Sequence, residues 1–326
     1  MQLQWIESAE HTESLAVCLR AVLAGQGCER TYAELVAALG LGSLIVAVAG
    51  ECPAQWALQA RDAGLRETSE LYGVRLRELH PTEAAEGLAQ SAEFAGHFRD
   101  SYVPLIRRAL EHEQLVLAWQ GWPAPQTGQW GVIDRVEHGK LAGCTIGFDG
   151  RPTPFHGPAL QVFVVEKCGP VDPDLITSAV LWSRVARAAA AQWSGQWTSA
   201  VQTHTGDAAY GAWIAALSGD ATLCAGCGRP LLRCHGRAAG ALVSARLWAA
   251  EWLCEVAARL DPAVRPKAEG WAAACRSVAE RLAPFAAAES DSSPSSSPLG
   301  RADLRQALAE ARSVETSAIA ALASRT

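Results

Sequence analysis

Three absences narrow this sequence before any motif is read. It has no surplus of positive charge: 28 Lys and Arg stand against 34 Asp and Glu, for a net charge of −6 and a pI near 5.8. A general nucleic-acid binder shows a basic surplus or a Lys/Arg cluster, and neither is present. It has no long apolar run. The longest, Leu41 to Gly50, falls short of the roughly 20 residues that cross a bilayer. The start, Met1 to Glu7, carries neither the basic nor the apolar region of a signal peptide, which predicts a cytoplasmic protein without a membrane span. Charge is also sparse, at 19% against 49% hydrophobic residues, which excludes a disordered chain and supplies a packed core. A length of 326 residues predicts two domains.

The common catalytic signatures are missing as well. Gly40-Leu41-Gly42 has no third glycine at the spacing of a phosphate loop and no following lysine. There is no Gly-x-Ser-x-Gly elbow and no His-Glu-x-x-His helix. None of the eight histidines sits in a local motif.

What the chain does have is ten cysteines. In a reducing compartment these read as free thiols packed as small hydrophobes. Cys254 and Cys275, on helix-periodic apolar stripes, fit that reading.

The first half mixes helix and strand patterns. Residues 13–23 read as a buried helix closed by Gly25 and Gly27, and Thr31 caps a second helix that runs to Leu39, with Glu34 three residues on. Gln55 to Ala63 reads as a third helix ended by Gly64, His80-Pro81-Thr82 as the opening of another, and Pro104 to Glu113 as one more. Gln114 to Trp119 is a continuous apolar run of buried-strand type. After a Gly/Pro/Gln loop over 121–128, Trp130 to Val136, a turn at His138-Gly139 and Leu141 to Ile146 make a hairpin pattern, and Leu160 to Glu166 adds a strand. Helices followed by a small antiparallel sheet is an α+β order.

A boundary is read at Lys167 to Pro173, where Asp172-Pro173 is a helix-entry signal. This predicts a first domain over residues 1–170 and an all-α helical bundle over 171–326. In the second half no strand pattern appears. Trp271, Cys275, Val278, Leu282 and Phe285 form one stripe, and Leu304, Leu308, Ala311, Ala318 and Leu322 another. Leu242, Leu247, Trp248, Trp252, Val256 and Leu260 form a third, and together they are bundle cores. The Ser/Pro-rich stretch 289–299 reads as a flexible tether.

Several of these pieces carry a resemblance. They are His11-Thr12-Glu13-Ser14 with the helix behind it, Gly40-Leu41-Gly42, the Pro104 to Trp119 helix–strand unit, and Gln129-Trp130-Gly131-Val132-Ile133. In the second half they are Gly206 to Trp213, the Arg246 to Leu260 helix, and the final helix with Glu315 and Ile319. This set resembles the papain-like superfamily of cysteine peptidases. Within it, the set resembles the bacterial domains named after butirosin biosynthesis protein H, which are related to the bacteriocin-leader-cleaving peptidases. The resemblance implies a papain-like N-terminal domain with a helical C-terminal partner. It also implies a cysteine opening the first buried helix and a histidine at the start of a strand. This chain has Thr12 and Glu13 at the first place and Gln129 or Trp130 at the second. Since papain-type chemistry needs a thiolate at a helix N-terminus beside an imidazole, the departures imply a catalytically silent frame whose old cleft binds a ligand.

The candidate residues follow. Cys18, a turn and a half into its helix, reads as a core thiol, and Cys52, before Pro53, as a helix-start thiol; with His156, between strands, they are the candidates for catalysis. Thr12, Glu13, Trp119, Trp122, Gln126, Gln129 and Trp130 are the candidate cleft residues, the indoles as walls and the amides as polar contacts. Cys224-Ala225-Gly226-Cys227 with Cys234 and His235 is the sharpest local pattern, a Cys-x2-Cys knuckle of zinc-binding type. Adjacent Cys234 and His235 do not readily ligate one ion together.

Three functions are therefore open. The first is a non-catalytic protein binding a small molecule or peptide, without a cofactor and linked to biosynthesis or peptide maturation. The second is a cysteine acyltransferase, fed by a carrier-protein thioester, or a peptidase. The third is a module stabilised by a structural zinc.

Overall fold

The computed structural model describes residues 3–8, 10–56, 61–79, 91, 93–167, 176–197, 203–286 and 300–323. The sequence readings at His80-Pro81-Thr82, at Asp172-Pro173 and over 289–299 lie outside these residues. The chain divides into two compact units. One comprises residues 1–35 and 65–175, the other residues 36–64 and 176–326.

In the first unit, α1 (Ser14–Ala24) is buried along nearly its whole length. It is followed by α2 (Tyr32–Ala38), in which the unit boundary falls. Next come α4 (Leu65–Leu71), β2 (Val74–Glu78), the short α5 (Phe94–His97) and α6 (Val103–Glu111). The strands β3 (Val116–Trp119), β4 (Trp130–Glu137), β5 (Lys140–Thr145), β6 (Thr153–Pro154) and β7 (Gln161–Lys167) complete it. They form one antiparallel sheet in the order β2-β7-β3-β4-β5-β6. The expected hairpin is present: Glu137 pairs with Lys140 across His138 and Gly139, both at positive φ (47° and 75°), the two-residue turn that matches strand twist. β2 is a strand that the reading above omits. Its alternation of buried Val74 and Leu76 with exposed Arg75 and Arg77 is a half-buried strand pattern.

Strand alternation puts Val116, Ala118, Ile133, Val162 and Val164 on one face, where they pack with Phe94, Phe98, Ile106 and Ala109. Leu117, Trp119, Trp130, Val132 and Phe163 take the opposite face. There the Trp130 amide donates to Ser14 Oγ at the start of α1, at 3.0 Å.

The second unit contains α3 (Pro53–Trp56), α7 (Ser178–Trp193), α8 (Gly206–Ala216), α9 (Leu231–Ala257), α10 (Arg265–Ala286) and α11 (Arg301–Ala323). It also holds a two-residue ribbon, β1 (Val46–Ala47) with β8 (His204–Thr205). A mixed α+β chain with a helical C-terminal region is thus observed. Where the reading above predicted an unbroken helix over 55–63, only α3 and a 3₁₀ turn at Arg61–Gly64 lie among the described residues. On α11 the buried stripe is Leu304, Leu308, Ala311, Glu315 and Ile319, with Ala318 only half-buried. Leu247 of α9 is exposed.

Residues 36–64, placed in the first domain by the sequence reading, join the helical unit. The reason is hydrogen bonding. Residues 39–45, between α2 and β1, are buried without regular structure, so their carbonyls need outside donors. Arg246 on α9 supplies three of them, to Gly42 O, Ser43 O and Leu44 O at 2.8, 3.1 and 3.2 Å. Its remaining donors meet Glu315 of α11 at 2.5 and 3.2 Å, and neither side chain is exposed beyond 1%. Gln192 donates to Gly40 O at 2.8 Å, and Arg184 to Ala38 O and Gly64 O at 3.0 Å each.

Candidate metal centre

The same unit brings four cysteines together. The sulfurs of Cys52, Cys224, Cys227 and Cys234 all lie within 4.8 Å of one another. Cys227 Sγ stands 3.4 Å from both Cys52 Sγ and Cys234 Sγ, and all four are free thiols. Four sulfurs placed about 2.3 Å from a zinc ion at the corners of a tetrahedron sit about 3.8 Å apart. The observed spread brackets that value and is well outside the ~2.05 Å of a disulfide. No further centre of three or more such ligands occurs among the described residues.

Local sequence builds each corner. Cys224 and Cys227 lie on a tight turn in which Cys224 O accepts from Gly228 N at 2.7 Å and Cys224 N donates to Arg229 O at 2.8 Å. Gly228 takes φ +67°, a left-handed conformation in which a side chain is strained. Gly226 is required for a different reason: a Cβ there would meet the Cys52 backbone nitrogen at 2.8 Å. Cys234 lies in the first turn of α9, which Pro230 opens. Cys52 immediately precedes Pro53, the first residue of α3. Cys52, Cys224 and Cys234 are buried and pack against Ala54 and Leu231, whereas Cys227 is exposed.

Electrostatics distinguish the four. The Arg229 amide donates to Cys227 Sγ and, with the neighbouring thiols, lowers its pKa to about 7. Burial, together with the Cys227 contact, pushes the Cys52 thiol up to about 11, against a favourable donation from the Ala54 amide. Burial also raises Cys234. A cation at the centre would offset the cost of ionising Cys52 and Cys234 against this burial, and a soft divalent ion such as zinc matches an all-thiolate set.

The expected ligand set needs one correction. His235 is not at the cluster. Consecutive helical residues point about 100° apart, so once Cys234 faces the sulfurs His235 is turned elsewhere. Its ring stacks on Trp213 at 6.2 Å and meets Trp56 edge-on at 5.8 Å. It is fully buried, neither ring nitrogen has a hydrogen-bond partner among the described residues, and burial lowers its pKa to about 4. The fourth ligand position falls to Cys52, which the sequence reading placed among the candidates for catalysis and not among the metal ligands.

The other candidates are scattered through the first unit. Cys18 is wholly buried, and burial raises its pKa well above the usual thiol value. His156 is exposed, its amide donating to Gly121 O. In front of α1, Thr12 is exposed and Glu13 buried, and the Glu13 amide donates to the Tyr32 hydroxyl at 2.8 Å. The His11 ring stacks on Tyr32 at 4.1 Å. No sulfur opens this helix.

The indoles do not share one wall. Trp119 and Trp130 stack at 6.3 Å on the α1 face of the sheet. Trp122 is in the opposite core against Phe155 at 5.3 Å, in the space left by Gly131, where a Cβ would meet its ring at 2.2 Å. Gln126 and Gln129 are half-buried and hydrogen-bonded to each other through their backbones, Gln129 N to Gln126 O, at 3.1 Å. No protein-family profile and no curated protein sequence matches this chain.

Proposed function

We propose that this protein is a zinc-clamped binding protein that forms no covalent intermediate with its ligand. The observation that carries the reading is the four-sulfur cluster. An all-cysteine set with three buried members leaves no open coordination position, which is the pattern of a structural rather than a catalytic zinc. The ion would fasten Cys52 and α3 to the knuckle at 224–227 and the start of α9. Zinc thiolates of this kind persist in a reducing compartment, in keeping with a cytoplasmic location.

The papain-like reading, and within it the resemblance to the butirosin H-like domains, is retained as part of this proposal. What supports it is the buried helix α1 followed by an antiparallel sheet. What supports its silence is the α1 entrance, where His11, Thr12, Glu13 and Tyr32 stand and Cys18 is sealed inside. The ligand would be a small molecule or peptide held without a covalent intermediate. A carrier-protein partner belongs to the acyltransferase alternative, which needs an accessible thiolate beside an imidazole.

Elemental analysis of the full chain purified under reducing conditions tests the reading. One zinc per chain is expected, retained in Cys254→Ser and lost in Cys52→Ser. Wild-type protein that takes up no zinc, or Cys52→Ser that holds it as tightly as wild type, overturns it.

A further inference from the structure

Resting on the zinc reading above, the geometry points to Cys227 as an oxidation site through which hydrogen peroxide opens the metal centre. The four sulfurs are not equivalent toward solvent. Cys52, Cys224 and Cys234 are buried, while Cys227 lies exposed on a turn whose residues 225–230 are all exposed. A peroxide molecule therefore reaches one sulfur of the four. That sulfur also has two others at 3.4 Å, Cys52 and Cys234, so an oxidised Cys227 has a resolving thiolate already at hand. The remaining described cysteines lack this combination. Cys18, Cys144 and Cys275 are buried, Cys28 is half-buried, and the exposed Cys254 accepts from Arg276 at 2.9 Å with no sulfur in hydrogen-bond contact with it among the described residues.

The chemistry balances with peroxide alone as oxidant. The Cys227 thiolate attacks one peroxide oxygen; the O–O bond breaks, a sulfenic acid forms and hydroxide leaves. The Cys52 or Cys234 thiolate then attacks the sulfenyl sulfur; the S–S bond forms and a second hydroxide leaves. Two sulfurs have lost two electrons, one peroxide has become two hydroxides, and zinc(II) departs unreduced because only two thiolates remain to hold it. A thiol reductant reverses the disulfide and restores the four-sulfur site.

Zinc-loaded full chain treated with hydrogen peroxide tests this, with released zinc followed by a chromogenic chelator and sulfenic acid trapped by dimedone. The expected result is loss of one zinc per chain, first dimedone labelling at Cys227, and a reducible disulfide from Cys227 to Cys52 or Cys234. Cys227→His keeps a fourth zinc ligand without an oxidisable sulfur and should release zinc at least tenfold more slowly. Cys254→Ser should behave as wild type. Should Cys227→His fail to load zinc, the dimedone order in wild type decides. Equal release rates from Cys227→His and wild type, or first labelling at Cys52, Cys224 or Cys234, overturn the proposal. Wild-type protein empty of zinc before peroxide is added overturns instead the reading on which it rests.

Discussion

The sheet unit and the helical unit are closed by different forces. In the sheet unit one face of the sheet carries an apolar core, with Phe94, Phe98, Ile106 and Trp122 packed on the strand residues. Its ion pairs are peripheral: Arg77–Glu166 and Arg66–Glu78 leave the arginine side chains half exposed. In the helical unit the interior is stitched by polar groups. Arg246 and Glu315 are sealed from solvent, Ser43 donates to Gln192 at 2.7 Å, and four sulfurs converge. The contrast follows from the backbone. Sheet carbonyls pair with the next strand, so side chains need only fill space. The buried coil at 39–45 has no ladder, and side chains must satisfy it. Directional contacts therefore appear where regular structure is missing.

Removing the clamp should separate the two units most sharply. Stripping zinc with a strong chelator under reducing conditions is expected to lower the melting step of the helical unit by on the order of 10 °C or more, since structural zinc contributes folding free energy directly. Hydrogen exchange should rise at residues 46–56 and 222–240, while the amides of β3, β4 and β7 keep their protection. Equal loosening of both sets would erase the contrast.

Breaking the buried ion pair comes next. Arg246→Met leaves the Glu315 carboxylate and the 42–44 carbonyls without their donor, and denaturant unfolding should register a loss of about 3–5 kcal/mol. A companion Glu315→Leu on that background should recover only part, because the carbonyls remain unsatisfied. The exposed counterpart in the sheet unit, Arg77→Ala, should cost about 1 kcal/mol or less. Similar losses at the two arginines would show that burial is not what distinguishes them.

The smallest effect is a pH dependence in the sheet unit. Burial, reinforced by Arg20, lowers the His11 pKa below its ordinary value, against the opposing pull of Glu7 and Glu10. The unfolded chain then binds this proton more readily than the folded one. Stability is full above the unfolded-state value of about 6.5 and declines as pH falls through it toward the lowered folded value. His11→Asn should flatten that part of the stability–pH curve, and an unchanged slope would remove His11 from the account.

Legibility differed between the units for the same reason. The 130–145 hairpin was readable because alternation and the His138-Gly139 turn are local signals. The strand over 74–78 carried the same alternation and was passed over. The bundle stripes were readable until a polar core residue interrupted them: Glu315 occupies a buried position that a hydrophobic pattern skips, which moved the expected stripe to Ala318. At the metal centre three of four ligands were visible in the Cys-x2-Cys spacing and Cys234. The fourth was not: the only further candidate was His235, which does not readily ligate beside Cys234, and the helical turn that presents Cys234 directs it into the Trp56 and Trp213 rings.

By itself, the sequence determined the knuckle at 224–227, the hairpin and the apolar helix faces, since each depends on residues within a turn or two of one another. Tertiary structure alone decided that Cys52 stands beside Cys227 across 175 positions, and that residues 36–64 leave the sheet for the helices. Metal-ligand spacing and unsatisfied carbonyls are met in space, and no local period records which distant donor meets them.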